Sequence, residues 1–405
     1  MKPAALFILV ASTVLSLSAR AGGLWLNEFG DPSGGRASAG ATAGVDDASA
    51  VLHNAASISR LDGSQLLLAV GYIAPDTQFD VESSGPGIGM NDGGSAGVGT
   101  PALATFYVRD LNSEKWTAGI SVAALSGAGL DYDADWAGRY QATEISIVLL
   151  SLAPTIAYQV NEKFSIGASL QIWYTALKMD VAIPSPLPPP ANAVDGLVEI
   201  DGSDYDFGYT FGLMYEFSPS TRIGFNYQSE IETNYDADVD ISPLSFALEV
   251  DLGIPLAQKV RVGLHHDIND KWGLDFTMGW DDWSTFDHIL ISSDAGSATI
   301  DQGWEDTYHL AAGFQYHHSP ALTFTAGIAY DDSPQHASRR TADLPLDEQL
   351  RIAVGFTRQM RDNFAVGAYL NYVDLGDARI ENTDFVGEYS SNTLLQVSLN
   401  FSWKL

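Results

Sequence analysis

Cysteine is absent from the 405 residues, which removes disulfides, thiolate metal sites and cysteine nucleophiles together. Basic residues are scarce: 20 Lys and Arg stand against 51 Asp and Glu, a formal net charge of −31. A nucleic-acid partner is excluded on that ground, because such binders work through basic patches that release counterions from the phosphate backbone. Charge of either sign is also low, at 18% of residues against the roughly 25% of a soluble domain. The hydrophobic share is an ordinary 46%, so disorder is not the explanation. No H-E-x-x-H zinc motif occurs, and beyond the first 21 residues no run approaches the ~18 consecutive apolar residues of a transmembrane helix.

What is present begins at the amino terminus. Lys2 supplies a positive start, Ala4 to Leu17 form a short apolar stretch, and Ala19-Arg20-Ala21 matches the small-x-small pattern of signal peptidase. These residues predict a cleaved signal peptide over residues 1–21. An exported chain without a spanning helix is either soluble or a β-barrel.

Periodicity decides between the two. Leu395, Val397, Leu399, Phe401, Trp403 and Leu405 alternate with Gln396, Ser398, Asn400, Ser402 and Lys404, the period of a strand with one apolar face. The same alternation runs through Trp272 to Asp281 and Phe207 to Phe217. These segments are long and aromatic at their ends, as tilted membrane-spanning strands with aromatic girdles are. Phe276, Met278, Phe401 and Trp403 are expected to face lipid, and Asp275, Thr277, Asn400 and Ser402 the lumen.

Fourteen such segments are legible, from residues 66–81 to 391–405, and an even number suits a closed antiparallel barrel with both ends on one side. Short turns such as 161–163, 219–220, 269–270 and 361–362 interleave with long connectors at 82–99, 133–145, 184–202, 294–303 and 335–348. Short periplasmic turns and long external loops are the expected asymmetry. The Pro-rich tract from Pro184 to Pro190 cannot donate ladder hydrogen bonds and belongs in an external loop. The Gly-rich run 85–99 reads as a mobile external loop. Residues 22–63 precede the first strand, are rich in Gly, Ala and Ser, and suggest a plug folded inside the barrel. The expected architecture is therefore all-β: a fourteen-stranded antiparallel transmembrane β-barrel over residues 64–405, with an N-terminal hatch over 22–63.

Metal chemistry is weak in this pattern. His265-His266 and His317-His318 are adjacent on strands, so their side chains point to opposite sides of the wall. Asp131, Asp133 and Asp135 resemble half a calcium loop, but Trp136 stands where its glycine is needed. No cofactor is expected.

Residues 22–30 (GGLWLNEFG), Gly35-Arg36-Ala37-Ser38-Ala39-Gly40 and Asp46-Asp47-Ala48-Ser49 open the mature chain in a way that resembles the FadL/TodX family of outer-membrane transporters. The resemblance continues in order through Trp136-Ala137-Gly138-Arg139-Tyr140, Ala153-Pro154-Thr155, Trp280-Asp281-Asp282-Trp283-Ser284 and Gly327 to Pro334. It implies an outer-membrane barrel closed by an amino-terminal hatch. Such a barrel passes long-chain fatty acids or neutral hydrocarbons, such as alkanes and alkylbenzenes, by passive diffusion. A kinked third strand opens sideways into the bilayer. Ser126-Gly127-Ala128-Gly129 is where such an opening is expected here, and a strand glycine marks a bulge or close approach. A monomer is expected, surrounded by outer-membrane lipid and lipopolysaccharide and inserted by the barrel assembly machinery.

The resemblance also nominates a site. Leu24, Trp25 and Leu26 are expected to shape an apolar ligand pocket, with His309 counted among its residues. Asn27 and Asn54-Ala55-Ala56 belong to the hatch, the latter where the family carries Asn-Pro-Ala. The family's fatty-acid branch has an Arg and a Lys at places that align with Val181 and Glu305. Loss of both cations favours a neutral ligand, since a carboxylate pays its desolvation in full without one. Arg340 and Arg351 are the expected substitutes if the ligand is a fatty acid. A general hydrophilic porin is the rival reading, and a lipase or protease built on a barrel is a more distant one.

Overall fold

The computed structural model describes residues 30–111, 115–185, 195–244, 246–293 and 296–405. Among these residues the chain forms fourteen wall strands. The first six are β1 (Gln65–Ser84), β2 (Thr100–Asp110), β3 (Trp116–Asp131), β4 (Glu144–Gln159), β5 (Phe164–Ile183) and β6 (Gly196–Ser218). Four more come in two pieces: β7 (Thr221–Gln228, Ile231–Ser242), β8 (Phe246–Leu256, Lys259–Asn269), β9 (Trp272–Asp281, His288–Ser293) and β10 (Gly296–Asp301, Thr307–Ser319). β11 (Leu322–Asp331), β12 (Gln349–Arg361), β13 (Phe364–Asp374) and β14 (Phe385–Lys404) complete the wall. Neighbours pair antiparallel, and β1 pairs with β14 from Gln65 opposite Lys404 to Ser84 opposite Phe385. That seam joins the first wall strand to the last and closes the barrel, as a lipid environment demands.

Near the short turns the strand code holds as expected. Phe276 and Met278 are exposed, the latter to 58%, while Asp275 and Thr277 are buried. On β14, Leu395, Val397 and Leu399 face out while Gln396, Ser398 and Asn400 are buried. Aromatic pairs band this end of the wall: Trp116 with Tyr158, Trp272 with Tyr316, and Phe364 with Trp403. The turns close locally. Asn161 Oδ1, for example, accepts from the backbone N–H groups of Lys163 and Phe164 at 2.9 and 3.0 Å, an Asx turn.

Further out, the facing reverses. On the first piece of β7, Arg222, Gly224, Asn226 and Gln228 point inward and Ile223, Phe225 and Tyr227 outward. After the break at Ser229-Glu230, Ile231, Tyr235, Val239 and Ile241 point inward, and Glu232, Asp236, Asp238 and Asp240 outward. β8 does the same around Ala257-Gln258: Val250, Leu252, Ile254 and Leu256 are buried on one side, Lys259, Arg261 and His265 on the other. The apolar parity continues through each break while the side it faces changes. The outer half of the lumen is consequently lined by apolar groups, with carboxylates on its outer surface.

Two connectors expected to be loops contain strand. Gly196 to Gly202 belongs to β6, and Gly296–Asp301 opens β10. Both add wall above the level where the fourteen-segment reading ends. The glycine run 85–99 is tied down by bridges from Gln78 to Ser95 and from Gly97 to Leu130. Residues 186–194, most of the Pro-rich connector, lie outside the described residues.

Candidate functional site

The segment from Gly30 to Gly63 touches the wall on many sides. Gly30 donates its N–H to the Tyr369 hydroxyl at 3.1 Å, and its carbonyl accepts from Ser398 Oγ at 2.7 Å and Asn400 Nδ2 at 2.9 Å. Gly40 donates to Thr277 Oγ1 at 2.8 Å, and Arg222 Nε donates to the Ala43 carbonyl at 2.7 Å. Further along, Asn54 Nδ2 reaches the Leu213 carbonyl at 3.0 Å and Ser59 Oγ donates to Ser165 Oγ at 2.8 Å. These partners sit on β13, β14, β9, β7, β6 and β5, so the segment lies within the ring of strands.

Inward glycines make room for it. A Cβ on Gly224 would overlap the Thr42 carbonyl, one on Gly327 the Arg36 carbonyl, one on Gly212 the Asn54 side chain, and one on Gly167 the Ala55 backbone. Between the glycines, Ala311, Ala329 and Ala353 pack against Ala37 and Ala39. The seat is thus built from small residues on widely separated strands, where backbone approaches backbone.

Charges fasten the same interface. Arg36 lies 3.6 Å from Asp275 and 3.4 Å from Asp46, while Arg222 lies 3.8 Å from Asp46. Asp275 is further engaged by His265 at 2.8 Å and by Gln315 at 2.9 Å. Within the segment, Asp31 caps the turn Pro32–Arg36 by accepting from Ser33 N–H at 2.9 Å, and His53 Nε2 is 3.2 Å away. Burial opposes charge on Asp31, yet His53 and Ser33 hold its carboxyl well below the usual range. Asp47, bonded to Ser49, moves the other way: burial and the nearby Asp31 push it up to about 6.

The wall is interrupted beside this segment. β3 pairs with β4 along its length, with one extra residue, Leu125, between Ala124 and Ser126. Its ladder with β2 ends at Ala123 opposite Ala104. Contact on that side resumes at Gly129, whose carbonyl accepts from Val98 N–H at 3.0 Å, and at the Gly97 to Leu130 bridge. Ala124 to Ala128 therefore carry no ladder to β2. The extra residue, Leu125, directly precedes Ser126 to Gly129, where the sequence placed the opening.

The family model for outer membrane protein transport proteins (OMPP1/FadL/TodX) matches residues 12–402. The chain belongs to this family. A long-chain fatty acid transport protein of Salmonella typhi is 25% identical over 395 residues, covering 90% of this chain and 90% of that one. A 47 kDa outer membrane protein of Pasteurella multocida is 27% identical over 393 residues, with 88% of each covered. Among solved structures, a Pseudomonas aeruginosa FadL homologue superposes with a TM-score of 0.84 at 21% identity, covering 92% of this chain and 97% of that one. The CymD monoaromatic hydrocarbon channel gives 0.69 at 18%, covering 93% and 97%. At these identities the structures speak for the fold.

In this FadL/TodX-family barrel of the outer membrane the nominated residues do not all converge. Leu24, Trp25, Leu26 and Asn27 lie outside the described residues, as do the side chains of Ser126, Gly127 and Ala128. Gly129 packs with Val98 at the edge of the interruption. Val181 is wholly buried on β5 among apolar neighbours. Glu305 has its side chain 69% exposed on the connector within β10, 3.7 Å from His336. Arg340 and Arg351 face inward but are engaged. Arg340 binds the carbonyls of Gln335, Leu346 and Arg379 and pairs with Asp347 at 2.9 Å. Arg351 pairs with Asp331 and donates to Gln349 Oε1 at 2.6 Å. His309, buried on β10, donates from Nδ1 to Asp331 Oδ1 at 2.8 Å. Asn54 closes its own turn without a proline, accepting from Ala56 N–H at 3.0 Å and donating to the Thr42 carbonyl at 2.7 Å; Ala55 and Ala56 are buried beside it.

Two residues missed in the sequence matter here. Lys259 and Arg261 are buried on the lumenal face of β8. Alternation with Val260, Val262 and Leu264 carried that information. Gly93-Gly94-Ser95-Ala96-Gly97 also spells G-x-S-x-G, but Ser95 sits in a bridge to Gln78 and no helix follows, unlike a nucleophile elbow. The pairs His265-His266 and His317-His318 split across the wall; His265 faces Asp275 while His266 meets Thr221. Trp136 stacks on Tyr132 at 4.0 Å, and among the described residues no group of three or more acidic or His side chains is placed to hold a metal ion.

Proposed function

We propose that this chain is a passive channel for hydrophobic small molecules, which reach the apolar outer lumen and leave sideways into the bilayer through the β3 interruption. One observation carries the reading. The lumen at membrane level is occupied by the Gly30 to Gly63 segment, while Ala124 to Ala128 beside it lack a β2 ladder. A molecule descending the lumen finds a wall opening before it finds a straight path. The names of the relatives, long-chain fatty acid transport protein and monoaromatic hydrocarbon channel, support the same class of cargo.

On this reading residues 1–21 are a signal peptide, 22–63 the hatch and 64–405 the barrel. The protein acts as a monomer among outer-membrane lipid and lipopolysaccharide after insertion by the barrel assembly machinery, and it is not an enzyme. Hatch contacts around the ring speak against a general hydrophilic porin, whose lumen would be open. Deleting Leu125 restores a regular β3–β4 ladder and is expected to cut uptake of a radiolabelled hydrophobic probe while the barrel keeps its heat-modifiable gel mobility. Normal uptake by that deletion, or rapid sugar flux through the native protein in liposome swelling, would refute the lateral route.

A further inference from the structure

The connector between β11 and β12, residues 332–348, does not stay on its own side of the barrel. The Tyr132 hydroxyl donates to the Ala342 carbonyl at 2.9 Å, and the Tyr389 hydroxyl, 2.7 Å from that of Tyr132, lies 3.3 Å from the same carbonyl. Ala342 N–H donates to Gln141 Oε1 at 3.0 Å, and Asn392 Nδ2 donates to the Pro345 carbonyl at 2.7 Å. Tyr389 and Asn392 are on β14, Tyr132 directly follows β3, and Gln141 lies between β3 and β4. From β12 to β3 is five strands round the ring, counting β13, β14, β1, β2 and β3. Contacts between strands so far apart have to cross the mouth of the barrel. Arg340 to Pro345 are buried there, and Ala342 and Leu344 join the apolar cluster that contains Phe79, Trp136 and Tyr389.

The connector is braced from within. Arg340 is buried, and most of its bonds stay inside residues 332–348: Nε donates to the Leu346 carbonyl at 3.1 Å, Nη2 to the Gln335 carbonyl at 2.8 Å and to Ser333 Oγ at 3.1 Å, and Asp347 pairs with it at 2.9 Å. One bond leaves the connector, from Nη1 to the Arg379 carbonyl at 2.9 Å. Each end is anchored to a neighbour. The Pro334 carbonyl accepts from Glu305 N–H at 2.9 Å, and Asp347 N–H donates to the Leu375 carbonyl at 3.0 Å. Close to the first anchor, Gln335 bonds to Gln302 and Ala337 to Glu381. The brace uses charge-assisted bonds, roughly twice as strong as the neutral ones that hold the tip. A segment with a firm interior, two fixed ends and a weakly bonded tip moves as one piece.

We propose that residues 332–348 form a lid over the outer lumen, pivoting near Pro334 and Asp347 with Arg340 as its brace, and that a ligand enters only when the tip leaves Tyr132, Tyr389 and Gln141. Opening uncovers the apolar surface beneath Ala342 and Leu344. Water covers such a surface at a cost and a hydrophobic molecule does not, so the arriving ligand itself favours the open lid. Arg340, nominated as a cation for the ligand, serves the lid instead. The lumen then has two barriers in series, the lid outside the membrane and the hatch within it. The proposal rests on the channel reading above.

The chain has no cysteine, so the pair Gln141→Cys and Ala342→Cys supplies its only thiols. In intact outer membranes a short bis-methanethiosulfonate bridges them and a reductant releases them. Uptake of a radiolabelled hydrophobic probe is expected to fall to background on bridging and to recover on reduction, with the heat-modifiable gel mobility unchanged throughout. Without added thiols, Tyr132→Phe combined with Tyr389→Phe should speed hydrogen exchange over residues 340–346 on the order of tenfold, because the tip loses its hydroxyl bonds, and should leave exchange over the hatch as it was. Undiminished uptake by the bridged protein, or unchanged exchange over 340–346 in the folded double-phenylalanine variant, would overturn the lid. A native protein that carries no probe would instead sink the channel reading, and this inference with it.

Discussion

Gly224 has no side chain, and the Thr42 carbonyl uses the room. Gly224→Ala is expected to leave the barrel closed but to push the hatch off its seat, at a cost of about 1–3 kcal/mol for the overpacking. Limited proteolysis would then cut between residues 30 and 63 in the variant and spare the native protein; equal resistance would contradict the seat. Asp47 gives a pH dependence of known sign. Its carboxyl is raised to about 6 by burial and Asp31, so the protonated form suits the folded hatch better. That contribution is full below the ordinary carboxylate value and is lost as pH rises through the folded value. Hatch amides should exchange more slowly at about pH 5 than at about pH 7 after correction for intrinsic rates, and Asp47→Asn should flatten the difference. The depressed Asp31 acts only at lower pH. At this scale the sequence was partly legible. Parity alone put Asp275 and Thr277 in the lumen, and it would have put Lys259 there too. Val181 and Glu305 are places that the family resemblance defines, and their own alternation carries no mark of a ligand site.

Strand breaks are what the alternation could not convey. Thr221 to Ile241 reads as one strand with one apolar face, because Ile223, Phe225, Tyr227, Ile231, Tyr235, Val239 and Ile241 share a parity. The two residues Ser229-Glu230 turn the chain over, so the first three face lipid and the rest the lumen. Phe246–Leu256 alternates as well, yet Glu249, Asp251 and Pro255 within it look like a connector. The lower halves were legible because lipid fixes their outward face as apolar. Above the membrane water fixes it as polar, and the same letters fit either orientation. This reversal puts like charges side by side on the outer surface. Asp238 lies opposite Asp201 on β6 and Glu249 on β8. Asp238→Asn should raise the stability of that region by roughly 0.2–1 kcal/mol, with the gain shrinking as salt rises. Thermal melts at low and moderate ionic strength would register it, and destabilisation at low salt would count against the ladder.

Across the whole molecule the first and last wall strands meet, with β1 zipped to β14, while the hatch takes contacts from β5, β6, β7, β9, β13 and β14. No two or three consecutive strands offer that surface. The hatch segment precedes every wall strand in the sequence, and its docking site does not exist until the last strand is in place. Order of synthesis and order of folding therefore run in opposite directions, with the newest strand completing the seat for the oldest segment. In a pulse-chase insertion assay the hatch should stay open to protease until a cysteine pair across the β1–β14 seam becomes able to cross-link, and protection arriving before that bond would reverse the sequence of events.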